Sequence, residues 1–179
     1  MRLRPPTPDD AELLESWEQS DYIGEFNRFG PPSRPVPKAL RQKAPADDGP
    51  GTFIVEADGR PIGTVSWHAE MYGPNPESRA WNIGINLIPD GRGKGFGGEA
   101  QRMLAMHLLA TTPANRIEAM TDLDNLAEQR SLEKAGFARE GVLRGAQFRA
   151  GKWHDIVVYS LVRPRRLPPA SPQPTMERT

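Results

Sequence analysis

The sequence predicts one mixed α/β domain, in which strands and helices alternate along the chain and the strands share a single sheet. Its 179 residues are the length of one domain and can bury a core. Residues 52–70 hold two β-branched runs separated by Asp-Gly-Arg-Pro, which is typical of a β-hairpin. Strand and helix patterns then alternate up to residue 162, and no internal repeat divides them.

The N-terminal part of the chain predicts few regular elements. A short strand comes first and is followed by a helix whose apolar residues have helical spacing, with Thr7 or Asp9 able to cap it. Residues 21–50 are rich in proline, and only 37–44 within them favour a helix.

After the hairpin, the predicted elements follow one another closely. They are a strand at 80–89, a helix at 98–110, a strand at 116–121, a helix at 125–137 and an antiparallel pair at 142–162. In the first of these helices the apolar stripe falls on positions 100, 103, 104, 107 and 108. The domain is assigned to residues 1–163. Residues 164–179, rich in proline and nearly without apolar residues, are predicted to be a disordered tail.

Composition excludes several classes of function. The 23 basic and 23 acidic residues balance, so no field attracts a nucleic acid. Without cysteine the chain has no disulfide, thiolate metal site or cysteine nucleophile, and its three histidines are scattered, so no metal site is expected. Neither a signal peptide nor a membrane span is apparent in the sequence, which predicts a cytoplasmic protein with no membrane partner.

Residues 91–98 read GRGKGFGG and lie between a predicted strand and a predicted helix. The first backbone N–H groups of a helix lack intrahelical acceptors, and glycines allow a bulky anion to approach them closely. Together with the charges of Arg92 and Lys94, this composition favours a phosphate or pyrophosphate. A Walker loop is excluded because Gly95 follows the lysine, and a Rossmann loop is disfavoured because antiparallel strands precede the glycines. From the loop alone, a glycine-rich turn that binds no ligand is also an open interpretation.

Four motifs in order resemble the GNAT superfamily of N-acetyltransferases, in particular its ribosomal-protein-alanine (RimJ/RimL-like) branch. Arg92-x-x-Gly95-x-Gly97 matches the family's [QR]-x-x-G-x-[GA] signature, and GEA at 98–100 is similar to the T-E-A that follows it in that branch. Further along, DN at 124–125 with SLEKAGFAREGVLR resembles the branch's next motif, and GKWHDIVVYSLV resembles its last strand. The resemblance covers residues 52–162 and implies a mostly antiparallel sheet of about seven strands with helices on both faces.

The resemblance implies acetyl-CoA as the acyl donor and an amine as the acceptor, either a peptide or protein N-terminus or a small amine such as an antibiotic. It implies that the backbone of Asn86, Leu87 and Ile88 parts from the next strand to bind the pantetheine, with an N–H near Leu87 stabilising the oxyanion, and that Asn125 binds the pantetheine arm. The implied pyrophosphate site is formed by Arg92, Gly93, Lys94, Gly95, Phe96, Gly97 and Gly98. Members of the family often form dimers, so the resemblance also allows a homodimer.

The catalytic residues are the least defined part of the resemblance. Asn82 stands where members usually have a glutamate, and Leu132 stands where many have a tyrosine acid. The candidates that remain are His68 and Glu70 on a strand, with Glu128 and Ser131 on a helix, and the residues do not favour one of the four over the others. A catalytically inactive module that binds a coenzyme A species is the alternative. A site without a strong base favours an amine of low pKa, because an α-amino group near 7.7 to 8.0 is partly neutral at physiological pH.

Overall fold

The computed structural model describes residues 1–19, 22–28, 49 and 51–164, and the seven strands within them form one sheet in the order β1-β2-β3-β4-β5-β7-β6. The strands are β1 (Arg2–Arg4), β2 (Gly51–Ala57), β3 (Arg60–Met71), β4 (Arg79–Leu87), β5 (Arg116–Asp122), β6 (Ala138–Arg149) and β7 (Lys152–Val162). The helices are α1 (Ala11–Gln19), α2 (Phe96–Thr111) and α3 (Leu126–Lys134).

Neighbouring strands are antiparallel except for β4 and β5, which are parallel. The predicted mixed, mostly antiparallel sheet is therefore confirmed. The helix predicted at 37–44 lies outside the described residues, as does the predicted tail apart from Pro164.

The main core lies on one face of the sheet, beneath α2 and α3, and we call this the helix face. Val65, Trp81 and Ile117 project from the sheet into this core and are almost fully buried. The predicted stripe of α2 is wrong in part, because the buried positions are 100, 101, 104, 105, 108 and 109. α2 packs against α3 as well as the sheet, which turns Gln101 inward and leaves His107 exposed.

The opposite face, which we call the outer face, carries the N-terminal segment. The Arg4 guanidinium donates to both oxygens of Asp10 at 2.6 and 2.7 Å and to Glu56 at 2.5 Å. Asp10 also accepts from the backbone amide of Thr7 at 2.7 Å. These donors, the Arg4 bond first, hold the pKa of Asp10 well below its usual range. This cluster fixes β1 to the turn that leads into α1.

Candidate active site

An opening in the sheet separates β4 from β5 at their carboxyl ends. The two strands pair at only three positions, the last of which joins Ile83 to Ala119. β4 continues to Leu87, still paired with β3 along its length, and β5 continues to Asp122. The strands therefore part from Gly84 onward, two residues before the segment that the resemblance implies.

The backbone groups of β4 that face this opening follow from the pairing with β3. The Ile88 amide donates to the Ile62 carbonyl at 2.9 Å, so even-numbered residues of β4 direct their backbone groups toward β3. Ile85 and Leu87 consequently direct theirs into the opening. The Ile88 N–H, which the resemblance places near a ligand, is already used within the sheet.

The glycine loop connects this opening to the N-terminus of α2. Gly93 and Gly95 have φ values of 72° and 85° and open space around them, so they supply left-handed backbone that other residues adopt only with strain. Gly97 and Gly98 have a different role. A Cβ on Gly98 would lie 2.9 Å from the Ser131 carbonyl oxygen, and one on Gly97 would lie 3.1 Å from the Ser131 hydroxyl. These two glycines let α2 pack closely against α3.

The two cations of the loop are placed differently. Arg92 donates from Nε to the Leu87 carbonyl at 2.8 Å and from Nη2 to the Tyr22 carbonyl, so its guanidinium is held by the protein. Lys94 is exposed and makes no ion pair within the described ranges. The loop thus presents one lysine and the N–H groups of the first turn of α2 to solvent.

Glu128 and Ser131 lie between α2 and α3, on the helix face. The Ser131 hydroxyl donates to Gln101 Oε1 at 3.1 Å, and Gln101 donates through Nε2 to Glu128. Asn125 caps α3, accepting from the Glu128 amide at 3.3 Å. Burial raises the pKa of Glu128 to about 7, although the bond from Gln101 opposes the shift. The buried Gln101 completes a polar chain that joins the two helices.

His68 and Glu70 lie on the outer face of β3, with His68 Nε2 3.4 Å from a Glu70 carboxylate oxygen. His68 is in register with Asn82 on β4, which is in register with Glu118 on β5. Two residues further along β4, Gly84 leaves the strand without a side chain where the opening begins. The structure therefore separates the four catalytic candidates into two pairs on opposite faces. His68 and Glu70 are in register with Asn82 and Ala80, which precede the opening by two and four residues.

Known proteins share this architecture. The family model of the GNAT acetyltransferase domain matches residues 1–138. The chain belongs to the GNAT family. An uncharacterized N-acetyltransferase of Bacillus subtilis, YoaA, is 36% identical over 104 residues, which is 58% of this chain and 56% of the relative. The chain thus spans little more than half the length of that curated relative.

Solved GNAT structures share the fold at low sequence identity. The ribosomal L7/L12 acetyltransferase RimL in complex with coenzyme A has a TM-score of 0.72 at 17% identity, over 89% of this chain and 92% of that one. Spermidine N-acetyltransferase from Vibrio cholerae, in complex with CoA and spermine, has a TM-score of 0.74 at 22% identity, over 90% and 94%. These likenesses concern the fold alone.

A cluster that the sequence analysis missed lies at the end of β5 in this GNAT domain. Asp122 accepts from Arg149, and His154 Nδ1 lies 2.8 Å from it. Arg149 also donates to the Glu25 carbonyl at 2.9 Å. Segment 22–28 is therefore held by Arg92 beyond β4 and by Arg149 beside β5, so it links the two strands across the opening. No local pattern could have indicated these contacts, because they join residues 27 to 124 positions apart.

Two further observations concern the described residues of the GNAT chain. They contain no group of three or more His, Asp or Glu side chains placed to hold a metal ion. None of their helices has the length and apolar character that a membrane crossing requires.

Proposed function

We propose that this chain transfers an acetyl group from acetyl-CoA to a primary amine by direct attack within a ternary complex. The observation that carries the proposal is the opening between β4 and β5, which lies beside the N-terminus of α2, where a Cβ on Gly97 would lie 3.8 Å from Leu87. His68 lies on the outer face, in register with Asn82, two residues before the opening. Membership of the GNAT family supports the reaction type. The coenzyme A complexes of RimL and spermidine N-acetyltransferase support the donor.

The donor occupies the helix side of the opening in this proposal. Residues 93–98 receive the pyrophosphate through backbone N–H groups, with Lys94 adding a full charge. The pantetheine lies along β4, where Ile85 and Leu87 direct backbone groups into the opening, and Asn125 borders it from the end of α3. Arg92 acts through its contacts with Leu87 and Tyr22 and shapes the site from within the protein.

The chemistry requires a neutral amine and a proton acceptor. The amine nitrogen attacks the thioester carbonyl carbon, the oxyanion collapses, and the carbon–sulfur bond breaks to release coenzyme A as a thiolate, which takes a proton from solvent. A backbone N–H of β4 near Leu87 stabilises the oxyanion. His68 takes the proton that the attacking amine loses, and Glu70, 3.4 Å from its ring nitrogen, stabilises the imidazolium.

Thiol release from acetyl-CoA over a panel of primary amines tests the proposal. We expect saturable release with at least one amine. Lys94→Ala should raise the KM for acetyl-CoA about tenfold, because it removes an exposed charge beside the pyrophosphate. Arg92→Ala should raise the KM for the amine as well, because it releases segment 22–28. Binding of acetyl-CoA without release by any amine would instead support the inactive coenzyme-binding module, which the positions of Asn82 and Leu132 favour.

Replacing His68 by alanine should lower kcat/KM about a hundredfold, because the proton acceptor is lost. The measurement is kcat/KM for the amine with saturating acetyl-CoA. His107→Ala removes an exposed histidine from α2 and should leave kcat/KM unchanged. An unaltered kcat/KM for His68→Ala would assign the proton to another acceptor.

A further inference from the structure

A cavity of about 640 Å³ lies on the outer face of the sheet and extends from the amino ends of β4 and β5 to Met120. Its apolar floor is formed by Met120, Leu143 and Val158. Met120 and Leu143 are more than a third exposed, which is unusual for neighbouring apolar side chains of a sheet. Nothing in the coenzyme site uses this surface.

The cavity reaches the start of the opening at one residue, Met120. This residue directly follows Ala119, the last residue of β5 that pairs with β4. Met120 is in register with Val158 on β7, and Leu143 on β6 is in register with Ile156, so the floor extends sideways from the opening across three strands. A molecule whose amine enters the opening therefore has the rest of its body over this floor.

The carboxylates around the cavity are already compensated. Glu118 is fully buried and accepts from Arg116 Nε at 2.5 Å and from the Tyr72 hydroxyl at 2.9 Å. Glu140 accepts from Arg116 Nη1 at 2.7 Å and from the Ser160 hydroxyl at 2.6 Å. Arg116 lowers the pKa of Glu140 to about 2, so the pair is ionised at neutral pH.

The same balance holds at the far end of the opening, where Asp122 is paired with Arg149 and His154. Among the described carboxylates on this part of the outer face, Glu70, beside His68, and Glu77, on the cavity rim, have no arginine or lysine partner. A polycation needs several spare carboxylates along its length, because each ammonium group that loses water must gain a partner. The described part of this surface provides two.

We propose that the acceptor is a primary amine carried on an apolar body, which the cavity floor of Met120, Leu143 and Val158 holds, and that polyamines and aminoglycosides are poor acceptors. The inference rests on the proposed function and names the substrate class of the same site. Small arylalkyl amines and peptides with an apolar first residue share the required chemistry. Burying an apolar body of this size favours such an acceptor about tenfold to a hundredfold.

The test compares four amines on the full chain: 2-phenylethylamine, a peptide with N-terminal leucine, spermidine and kanamycin. Binding is measured by calorimetry in the presence of coenzyme A, and turnover is measured by thiol release from acetyl-CoA. We expect the first two to bind and react with kcat/KM at least about tenfold above the last two. The ratio between the first two distinguishes a small amine from a peptide N-terminus.

The matched variants are Leu143→Asp, on the cavity floor, and Met106→Asp, at an equally exposed position on α2. Leu143→Asp should weaken the apolar amines about tenfold and improve spermidine, while Met106→Asp changes neither. Leu143→Ala, which adds no charge, should weaken only the apolar amines and covers the case in which the aspartate variant does not fold.

The outcomes separate the two proposals. Preference for spermidine or kanamycin, or an equal effect of the two aspartate variants, overturns the apolar acceptor while leaving acetyl transfer intact. Binding of 2-phenylethylamine that Leu143→Asp abolishes, without turnover of any amine, supports the cavity and overturns the enzyme. Absence of binding for all four amines overturns the cavity inference.

Discussion

Replacing Gly63 by alanine is expected to lower the free energy of unfolding by about 3 kcal/mol, near the upper end of the cost of overpacking a core. An added Cβ would lie 2.2 Å from the Asn86 carbonyl oxygen and 2.8 Å from the Leu87 Cα. Both neighbours are backbone atoms of β4, so the strand itself has to move. Because this part of β4 borders the opening, we also expect the KM for acetyl-CoA to rise at least about tenfold.

The measurements for Gly63→Ala are urea denaturation and initial rates of thiol release. Gly141→Ala is the control, because a Cβ there meets nothing within 4 Å, and its stability should stay within about 0.5 kcal/mol of the parent. If Gly63→Ala matched the control in both measurements, the close contact between β3 and β4 would not constrain the donor strand. A loss of stability with an unchanged KM would separate the packing of β4 from coenzyme binding.

The local elements of this fold follow from local sequence. The hairpin at 52–70, the strand before the glycines and the helix after them have periodic patterns and strong turn signals, and each appears close to its predicted bounds. The predicted buried face of α2 was wrong in part, because that face also depends on α3, which comes from a later part of the chain. The pattern of α2 alone does not indicate that Gln101 is buried.

The composition of the glycine loop does not predict the role of each of its residues. All its glycines have the same appearance in the sequence, yet Gly93 and Gly95 serve backbone conformation whereas Gly97 and Gly98 serve contact with Ser131. Arg92 has the motif position of a ligand-binding cation, and its guanidinium binds two protein carbonyls. The partners in both cases come from remote segments, so the sequence could indicate the loop and not the task of each residue.

The four catalytic candidates illustrate the same limit from the other side. The four were candidates because of their residue types. The structure places His68 and Glu70 on the outer face and Glu128 and Ser131 on the helix face. The sequence predicts that side chains of β3 alternate between the two faces of the sheet. Their position relative to the opening depends on how β4 pairs with both of its neighbours. The exposed floor of the cavity was equally hidden, because Met120, Leu143 and Val158 come from three strands.

Glu128 gives a prediction in which stability and catalysis respond differently. Its pKa is raised by burial to about 7 in the folded protein and takes an ordinary value near 4.5 when the chain unfolds. Between these values the folded state keeps a proton that the unfolded state releases, so the free energy of unfolding falls as pH rises from about 4.5 to 7. This difference in pKa corresponds to about 3 kcal/mol of the free energy of unfolding.

Glu128→Gln should therefore be more stable than the parent at pH 8, by about 2 to 3 kcal/mol, and nearly equal to it at pH 4.5. The glutamine oxygen still accepts from Gln101 Nε2, so the link between α2 and α3 is kept. Urea denaturation from pH 4.5 to 8 provides the measurement. Glu99→Gln makes the same change in net charge at an exposed position of α2 and should show no such divergence.

The same variant decides whether the helix-face carboxyl takes part in the reaction. Glu128 lies between two helices, across the sheet from His68, so Glu128→Gln should keep kcat within about twofold of the parent at pH 8. A large loss of kcat at pH 8 would make Glu128 the proton acceptor and remove that role from His68. Gained stability with retained kcat would instead show that the half-buried carboxylate weakens the fold at neutral pH while the chemistry proceeds on the outer face.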